Sequence, residues 1–374
     1  MPNPFILKVI PPDSPFCDRT RELKELSAHV RNGANVVLFS PRRFGKTSLI
    51  RKLQARLQKQ KFFPVYTDFF MVTTVGDVAA RIAKSVYALL HRRESLLKKG
   101  ARYMRTIKAF RPVFKPAPDG GLSLTVEPES PHVSGMDLLD RVLEDLGEFI
   151  RVESGGVHIV FDEFQEITEL KDVSVEGVLR KHIQEHRASY FFVGSRRRIL
   201  LDIFNKRSRP FFQSAIMYPL DPLPHDELSS FLLDQFGKAG KKCPERLAGK
   251  IVDMVARYPY YAQLLAYYVF EVSGRTVKEE DLETGFEKLL ASERYGYEAI
   301  VQGLTGPQIT LLRSLSTDPD SRILSAEYMG RHKLTIGGVQ YARDKLEALD
   351  LIEKHDNFWR IVDPVFEAWL FKYT

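Results

Sequence analysis

Hydrophobic and polar positions recur with two different periods along this chain, and each change of period marks an element. Leu23, Leu26 and Val30 fall at helical spacing within SPFCDRTRELKELSAHVRNG, and Asn32-Gly33 ends the run. NVVLFS is a short apolar run suited to a strand covered on both faces. It passes through SPRRFGKT into SLIRKLQARLQKQ, whose Leu49, Leu53 and Leu57 share one helical face. FFPVYTDFF predicts a second buried strand, and a helix follows over about 75–91. VHIVFDEFQEI, SYFFVGS and SAIMYPL predict three further strands. Between them lie helices over MDLLDRVLEDLGEFIRVE, over about 175–186, and over a basic run to Phe212. Strands alternating with helices predict an α/β core with a parallel sheet and helices on both faces.

Three stretches depart from that rhythm. Residues 92–135 begin basic, with nine Lys/Arg between Arg92 and Lys115, and end in KPAPDGGLSLTVEPESP. The latter predicts a hairpin turning at Asp119-Gly120-Gly121, so the stretch is an insertion in the core, residues 1–220. Residues 221–300 read as helices only, with Pro244 and Pro259 near helix starts. Residues 301–374 predict three short helices and a strand pair turning at Asp356-Asn357, a winged helix-turn-helix.

Composition narrows the class. The chain has 374 residues, 44% hydrophobic and 28% charged, which excludes a disordered or low-complexity chain. No apolar run approaches the ~18 residues of a membrane span. MPNPFILKVIPPDSP has no basic region ahead of its short apolar stretch, and Cys17 and Cys243 stand alone. The expected compartment is therefore the cytoplasm. The formal charge of +7 invites a nucleic-acid partner, but its distribution matters more. Residues 42–61 hold eight basic side chains and no acidic one, whereas 301–374 hold nine basic against ten acidic. A net-negative winged helix is a poor match for a phosphate backbone.

The chemistry concentrates at two strand ends. SPRRFGKTS fits the phosphate-loop pattern at Gly45, Lys46 and Thr47, with Ser40 where the pattern has its first glycine. Ser40, Pro41, Arg42, Arg43, Phe44, Gly45, Lys46, Thr47 and Ser48 are the candidate ATP- or ADP-binding stretch. Backbone N–H groups at a helix start attract phosphate, and Lys46 would reach the β- and γ-phosphates. The Thr47 hydroxyl would ligate Mg²⁺. In VHIVFDEFQEI, Asp162 is the expected acidic partner of the Mg²⁺ shell and Glu163 the base for an attacking water. Loop and Asp162 are expected to end adjacent parallel strands, where such sheets bind ligands. His158, His182 and His186 form no metal set, and a helix surface is expected for the i,i+4 pair.

The order of these pieces resembles the AAA+ ATPases. More narrowly it resembles the archaeal-type ATPase family, related to the signal-transduction (STAND) ATPases and the origin-recognition initiators. FCDRTREL, SPRRFGKTSL, IVFDEFQEI, FFVGS, RYPYYAQLL and DLIEK…IVDPVFEAWL carry the resemblance, across about 14–374. It implies a P-loop core, a helical lid at 221–300 and a C-terminal winged helix. It places Phe16, Asp18 and Arg19 near adenine and ribose, with an ordinary helix cap by Asp18 as the alternative. Ser195 matches a polar sensor position at the γ-phosphate, or else caps the next helix. Arg207 and Arg209 lie where such proteins carry an arginine that completes a neighbour's site in an oligomer. Arg257 stands where the family usually has glycine, as a phosphate sensor or, preferably, a surface charge. Two functions are implied. One is an ATP-hydrolysing switch coupled to DNA. The other is a slow or non-hydrolysing nucleotide module whose winged helix contacts a protein.

Overall fold

The computed structural model describes the chain except residues 1, 12, 13, 16, 18, 92–106, 117–121, 131, 171–174, 320, 321, 356, 357 and 374. The predicted turns at Asp119-Gly120-Gly121 and Asp356-Asn357, the residues Phe16 and Asp18, and most of the basic stretch fall outside the described residues.

The core opens with α1 (Thr20–Arg31), β1 (Val36–Phe39) and α2 (Lys46–Lys59). It continues through β2 (Phe63–Asp68) and α3 (Val75–His91) to the hairpin β3 (Phe110–Pro116) and β4 (Leu122–Pro128). Then come α4 (Gly135–Val152), β5 (Val157–Asp162), a 3-10 turn at Phe164–Glu169 and α5 (Val175–Glu185). β6 (Ser189–Gly194), α6 (Arg197–Asn205) and β7 (Ile216–Pro219) complete it. Helix α6 is shorter than predicted; after Asn205 the chain turns, and Phe211 plugs into a cluster with Phe164, Phe192 and Phe204.

Five strands form one parallel sheet in the order β2-β5-β6-β1-β7. Strand period two sorts the core. Val36 and Leu38 join α1 and α2 on one face, and Val37 and Phe39 join the larger cluster under α3, α4 and α5 on the other. The expectation of adjacent strands for the loop and Asp162 is corrected here. β6 lies between β1 and β5, because the chain fills the gap between β1 and the edge strand β2 only after the insertion. That insertion of β6 brings Ser195 between the two motifs.

The helix-surface expectation for the histidines is also corrected. His182 is buried, with Nε2 2.7 Å from Asp140 Oδ1, and His186 Nδ1 lies 2.5 Å from the Tyr190 hydroxyl. Helix α5 packs this face against α4. Burial pushes His158, which is fully buried, and His186 down from 6.5 to about 4. Between those values the unfolded chain takes up protons that the folded chain refuses, so stability falls as pH drops from 6.5 towards 4. Urea midpoints measured at pH 7 and pH 4.5 should show that loss; equal midpoints would mean both rings protonate in place.

Beyond the sheet, the helices α7 (His225–Lys238), α8 (Glu245–Met254), α9 (Pro259–Val272) and α10 (Glu279–Gln302) follow. Pro244 caps α8 and Pro259 opens α9, where a missing N–H costs nothing. Then come α11 (Gly306–Thr317), α12 (Ala326–Arg331), α13 (Ile336–Ala348), β8 (Ile352–His355), β9 (Phe358–Ile361) and α14 (Pro364–Tyr373). One apolar cluster runs through both groups of helices and includes Phe44 from the loop after β1. Among the described residues no helix is long and apolar enough to cross a membrane.

Candidate nucleotide site

The loop between β1 and α2 turns through two left-handed residues, Arg43 (φ 67°) and Gly45 (φ 84°). Ser40 is not one of them, so serine at the first position of the pattern brings no backbone strain there. Gly45 is the N-cap of α2, and no side chain caps that helix. Its first N–H groups are thus left uncapped by any side chain, the arrangement that favours an anion at a helix start.

Lys46 is 7% exposed and donates to the carbonyls of Ser40 at 2.8 Å and Pro41 at 2.9 Å. Burial lowers its ammonium to about 8, opposed by the charges of Glu163 and Asp162. The Ser40 hydroxyl lies 3.3 Å from the same ammonium. Thr47 Oγ1 donates to Asp162 Oδ2 at 3.2 Å, which joins the two strand ends. Tyr66 on β2 also donates to Oδ2, and the Glu163 N–H donates to Oδ1 at 3.0 Å. Ser48 does not face this group; its hydroxyl accepts from the Ile10 N–H at 3.2 Å.

Glu163 sits in the left-handed region (φ 49°), which lifts its carboxylate out of the strand line. Its Oε2 accepts from the Ser195 hydroxyl at 3.2 Å and from Gln165 Nε2. Ser195 thus meets the predicted base, while α6 begins without a side-chain cap. Gly194 makes the approach of Gln165 possible: a Cβ there would lie 2.0 Å from Gln165 Oε1.

The side chains of Arg43 and Phe44 point away from the strand ends. Arg43 bonds Glu293 Oε2 at 2.8 Å and the Tyr261 hydroxyl at 2.7 Å, and lies 4.7 Å over the Tyr260 ring. Phe44 meets Tyr258 edge-on at 4.5 Å. Tyr261 in turn donates to Asp363, whose Oδ1 accepts from the Val365 and Phe366 N–H groups at 2.9 and 3.0 Å. A continuous polar chain therefore runs from the loop through α9 to the start of α14. Around it, Arg197 lies 3.7 Å from Glu353 and Arg198 3.5 Å from Glu347. Burial raises the Asp350 carboxyl to about 6, against the pull of Arg196 and Arg42.

Arg19 is buried against Glu22 at 2.7 Å, and its Nη2 has no partner among the described residues. Arg209 pairs with Glu176 at 2.7 Å within the chain, whereas Arg207 is exposed. Arg257 is exposed on a left-handed residue (φ 61°) just before α9, a conformation that accounts for glycine at this place in the family the chain resembles.

A magnesium ion takes few protein oxygens and completes its octahedron with phosphate and water. Thr47 Oγ1 and Asp162, joined at 3.2 Å beside the uncapped start of α2, fit such an ion. Among the described residues no group of three or more His, Cys, Asp or Glu assembles into a metal site.

Tyr66, Gln165 and the Tyr261–Asp363 contact are additions to the residues read from sequence. Gln165 stands in the DEFQ run and could have been noticed there. Tyr66 carries no local signal, because its role depends on β2 lying beside β5.

Residues 295–372 match a family profile described as a probable winged helix domain. No curated protein sequence matches the chain. Three solved structures share its fold across nearly the whole chain. The Walker-type ATPase of Pyrococcus abyssi is 16% identical, with a TM-score of 0.67 over 97% of this chain and 99% of that one. The ORC2 protein of Aeropyrum pernix, solved with ADPNP and ADP, is 14% identical, with a TM-score of 0.59 over 98% and 97%. The ORC1 protein of Aeropyrum pernix, solved in complex with DNA, is 15% identical, with a TM-score of 0.50 over 97% and 93%. The chain thus shares the fold of a Walker-type ATPase and of the ORC proteins, and its C-terminal residues match a winged helix.

Proposed function

We propose that this chain, with its AAA+ core and C-terminal winged helix, binds ATP with Mg²⁺ and hydrolyses it as a nucleotide-dependent switch. One observation carries the reading: Lys46, Thr47, Asp162, Glu163 and Ser195 converge at the ends of β1, β5 and β6. Thr47 bonds Asp162, and Ser195 bonds Glu163, each at 3.2 Å.

The residues divide the work. The α2 start and Lys46 bind the β- and γ-phosphates. Thr47 and Asp162 would hold magnesium, which would supply charge neutralisation on those phosphates. Glu163 takes the proton of a water whose oxygen attacks the γ-phosphorus. The bond to the bridging oxygen breaks, and its electron pair leaves with ADP. Ser195 and Gln165 orient the Glu163 carboxylate. Arg19 is assigned to the adenosine end. Arg207, being exposed, is the better placed of the two arginines to act on a neighbouring copy in an oligomer. The three-part division at about 220 and 300 follows the same reading.

The switch reading rests on Arg43. Its left-handed residue lies in the phosphate loop, while its side chain belongs to the lid through Glu293 and Tyr261. A phosphate that shifts this loop pulls on a chain ending at Asp363 and α14.

A second reading, a regulatory module with slow or no turnover that contacts protein, draws on the winged helix itself. Arg343 is bound to Asp344 at 2.7 Å and lies 5.9 Å over Trp359. Arg331 bonds Asp318 and Glu327, and Arg360 bonds Glu353. Side chains neutralised in this way are poor counter-charges for DNA phosphates.

The deciding measurement is steady-state phosphate release by the purified protein, with and without duplex DNA. Turnover supports the switch, and stimulation by DNA names duplex DNA as the partner. Tightly bound nucleotide without turnover moves the assignment to the regulatory module, and no bound nucleotide overturns both.

A further inference from the structure

Tyr66 has no part in the chemistry above, yet it bonds the carboxylate on which that chemistry depends. It lies on the edge strand β2, in register with Val160 of β5. Period two then puts Tyr66 and Asp162 on one face of the sheet, the face covered by α2. The phenol donates to Asp162 Oδ2, the oxygen that also accepts from Thr47. The other oxygen accepts from the Glu163 N–H. Arg51, on α2, lays its guanidinium 3.6 Å from the centre of the Tyr66 ring. The ring is thereby held from one side while its hydroxyl is aimed at the carboxylate.

An aspartate at a strand end rotates freely about its last torsion, which is broad and two-fold. Three donors, from Tyr66, Thr47 and the Glu163 backbone, remove that freedom. Thr47 is itself assigned to the metal, and the backbone N–H fixes only Oδ1. The Tyr66 ring packs against the apolar cluster under α2, and its hydroxyl is the one of the three donors that is neither assigned to the metal nor part of the backbone.

We propose that Tyr66 is a positioning residue for the metal-holding carboxylate of Asp162, with Arg51 clamping its ring, and that the pair governs how strongly magnesium tightens nucleotide binding. The inference rests on the reading that Thr47 and Asp162 share a magnesium ion with ATP. Donors behind a metal ligand fix its geometry, and their loss costs about 10–100-fold in metal affinity.

The test reads binding rather than turnover. A fluorescent ATP analogue is titrated into the full-length wild type, Tyr66→Phe and Arg51→Ala, first in EDTA and then over a magnesium series. Affinity in EDTA is expected to be the same for all three. The magnesium concentration that gives half of the tightening should rise about tenfold in Tyr66→Phe, and in the same direction in Arg51→Ala. A purely structural role would weaken binding equally with and without magnesium, and that pattern overturns the proposal. So does a Tyr66→Phe protein with wild-type magnesium dependence. If Tyr66→Phe does not fold, Arg51→Ala decides by the same criteria. Wild-type protein that binds nucleotide equally well in EDTA and magnesium overturns the shared metal site along with the role of Tyr66. Wild-type protein that binds no nucleotide in either buffer overturns the nucleotide reading itself.

Discussion

Lys46→Ala is expected to weaken nucleotide binding by at least about 100-fold, since charge-assisted hydrogen bonds contribute about 1.5–3 kcal/mol each and two phosphates share this cation. The ammonium is almost fully buried, and its present partners are two carbonyls and the Ser40 hydroxyl of its own loop. Those bonds are neutral at the acceptor end, so exchanging them for phosphate oxygens is favourable. The N–H groups of the α2 start would remain in the variant, and they account for the weak binding that survives. Isothermal titration with ATP and magnesium reads the effect. Lys46→Met keeps the buried volume without the charge, and it should lose affinity to the same degree. An affinity within about threefold of wild type in both variants would remove the phosphate loop from the site.

Glu163→Gln should behave in the opposite way: ATP is held within about threefold of the wild-type affinity while turnover falls by a factor of about 10²–10⁴, the usual contribution of a positioned base. The amide keeps the shape of the side chain and can still accept one of the hydrogen bonds that Ser195 and Gln165 now give to Oε2. What it cannot do is take a proton from water. Single-turnover phosphate release separates this from slow product release. Hydrolysis at the wild-type rate would mean that the proton leaves by another route and that Glu163 only shapes the pocket. Ser195→Ala should give a smaller loss of the same kind, because the carboxylate then keeps a single side-chain donor.

Most of the elements were legible in the chain alone. NVVLFS and SYFFVGS are apolar at successive positions because both faces of a central parallel strand are covered, and the hydrophobic effect writes that burial into residue type. Gly45, Lys46 and Thr47 were legible for a related reason: the phosphate contact proposed for them is local, so its residues must be neighbours in sequence. Asp162 and Glu163 could be identified because they end such a strand. Two of the misreadings, adjacent motif strands and surface histidines, share one cause. Periodicity states that a face is covered but not by which element, and it is silent about the order in which strands lie side by side.

Two of the site contacts that sequence did not reveal span long separations. Tyr66 reaches Asp162 over 96 positions, and Tyr261 reaches Asp363 over 102. Gln165 is close to Glu163 in sequence, yet its amide fits there only because β6 brings Gly194 alongside. The place of Arg43 in the loop suggests a phosphate contact, and the tertiary packing turns its side chain onto α9 and α10. Local backbone conformation and burial are properties of short windows, so the sequence by itself determined most of the helices, the strands and the glycine-containing loop after β1. Strand order and side-chain direction depend on which surfaces meet when the chain closes, so only the tertiary structure decided how Asp162 is held, what Glu163 leans on and which way Arg43 points.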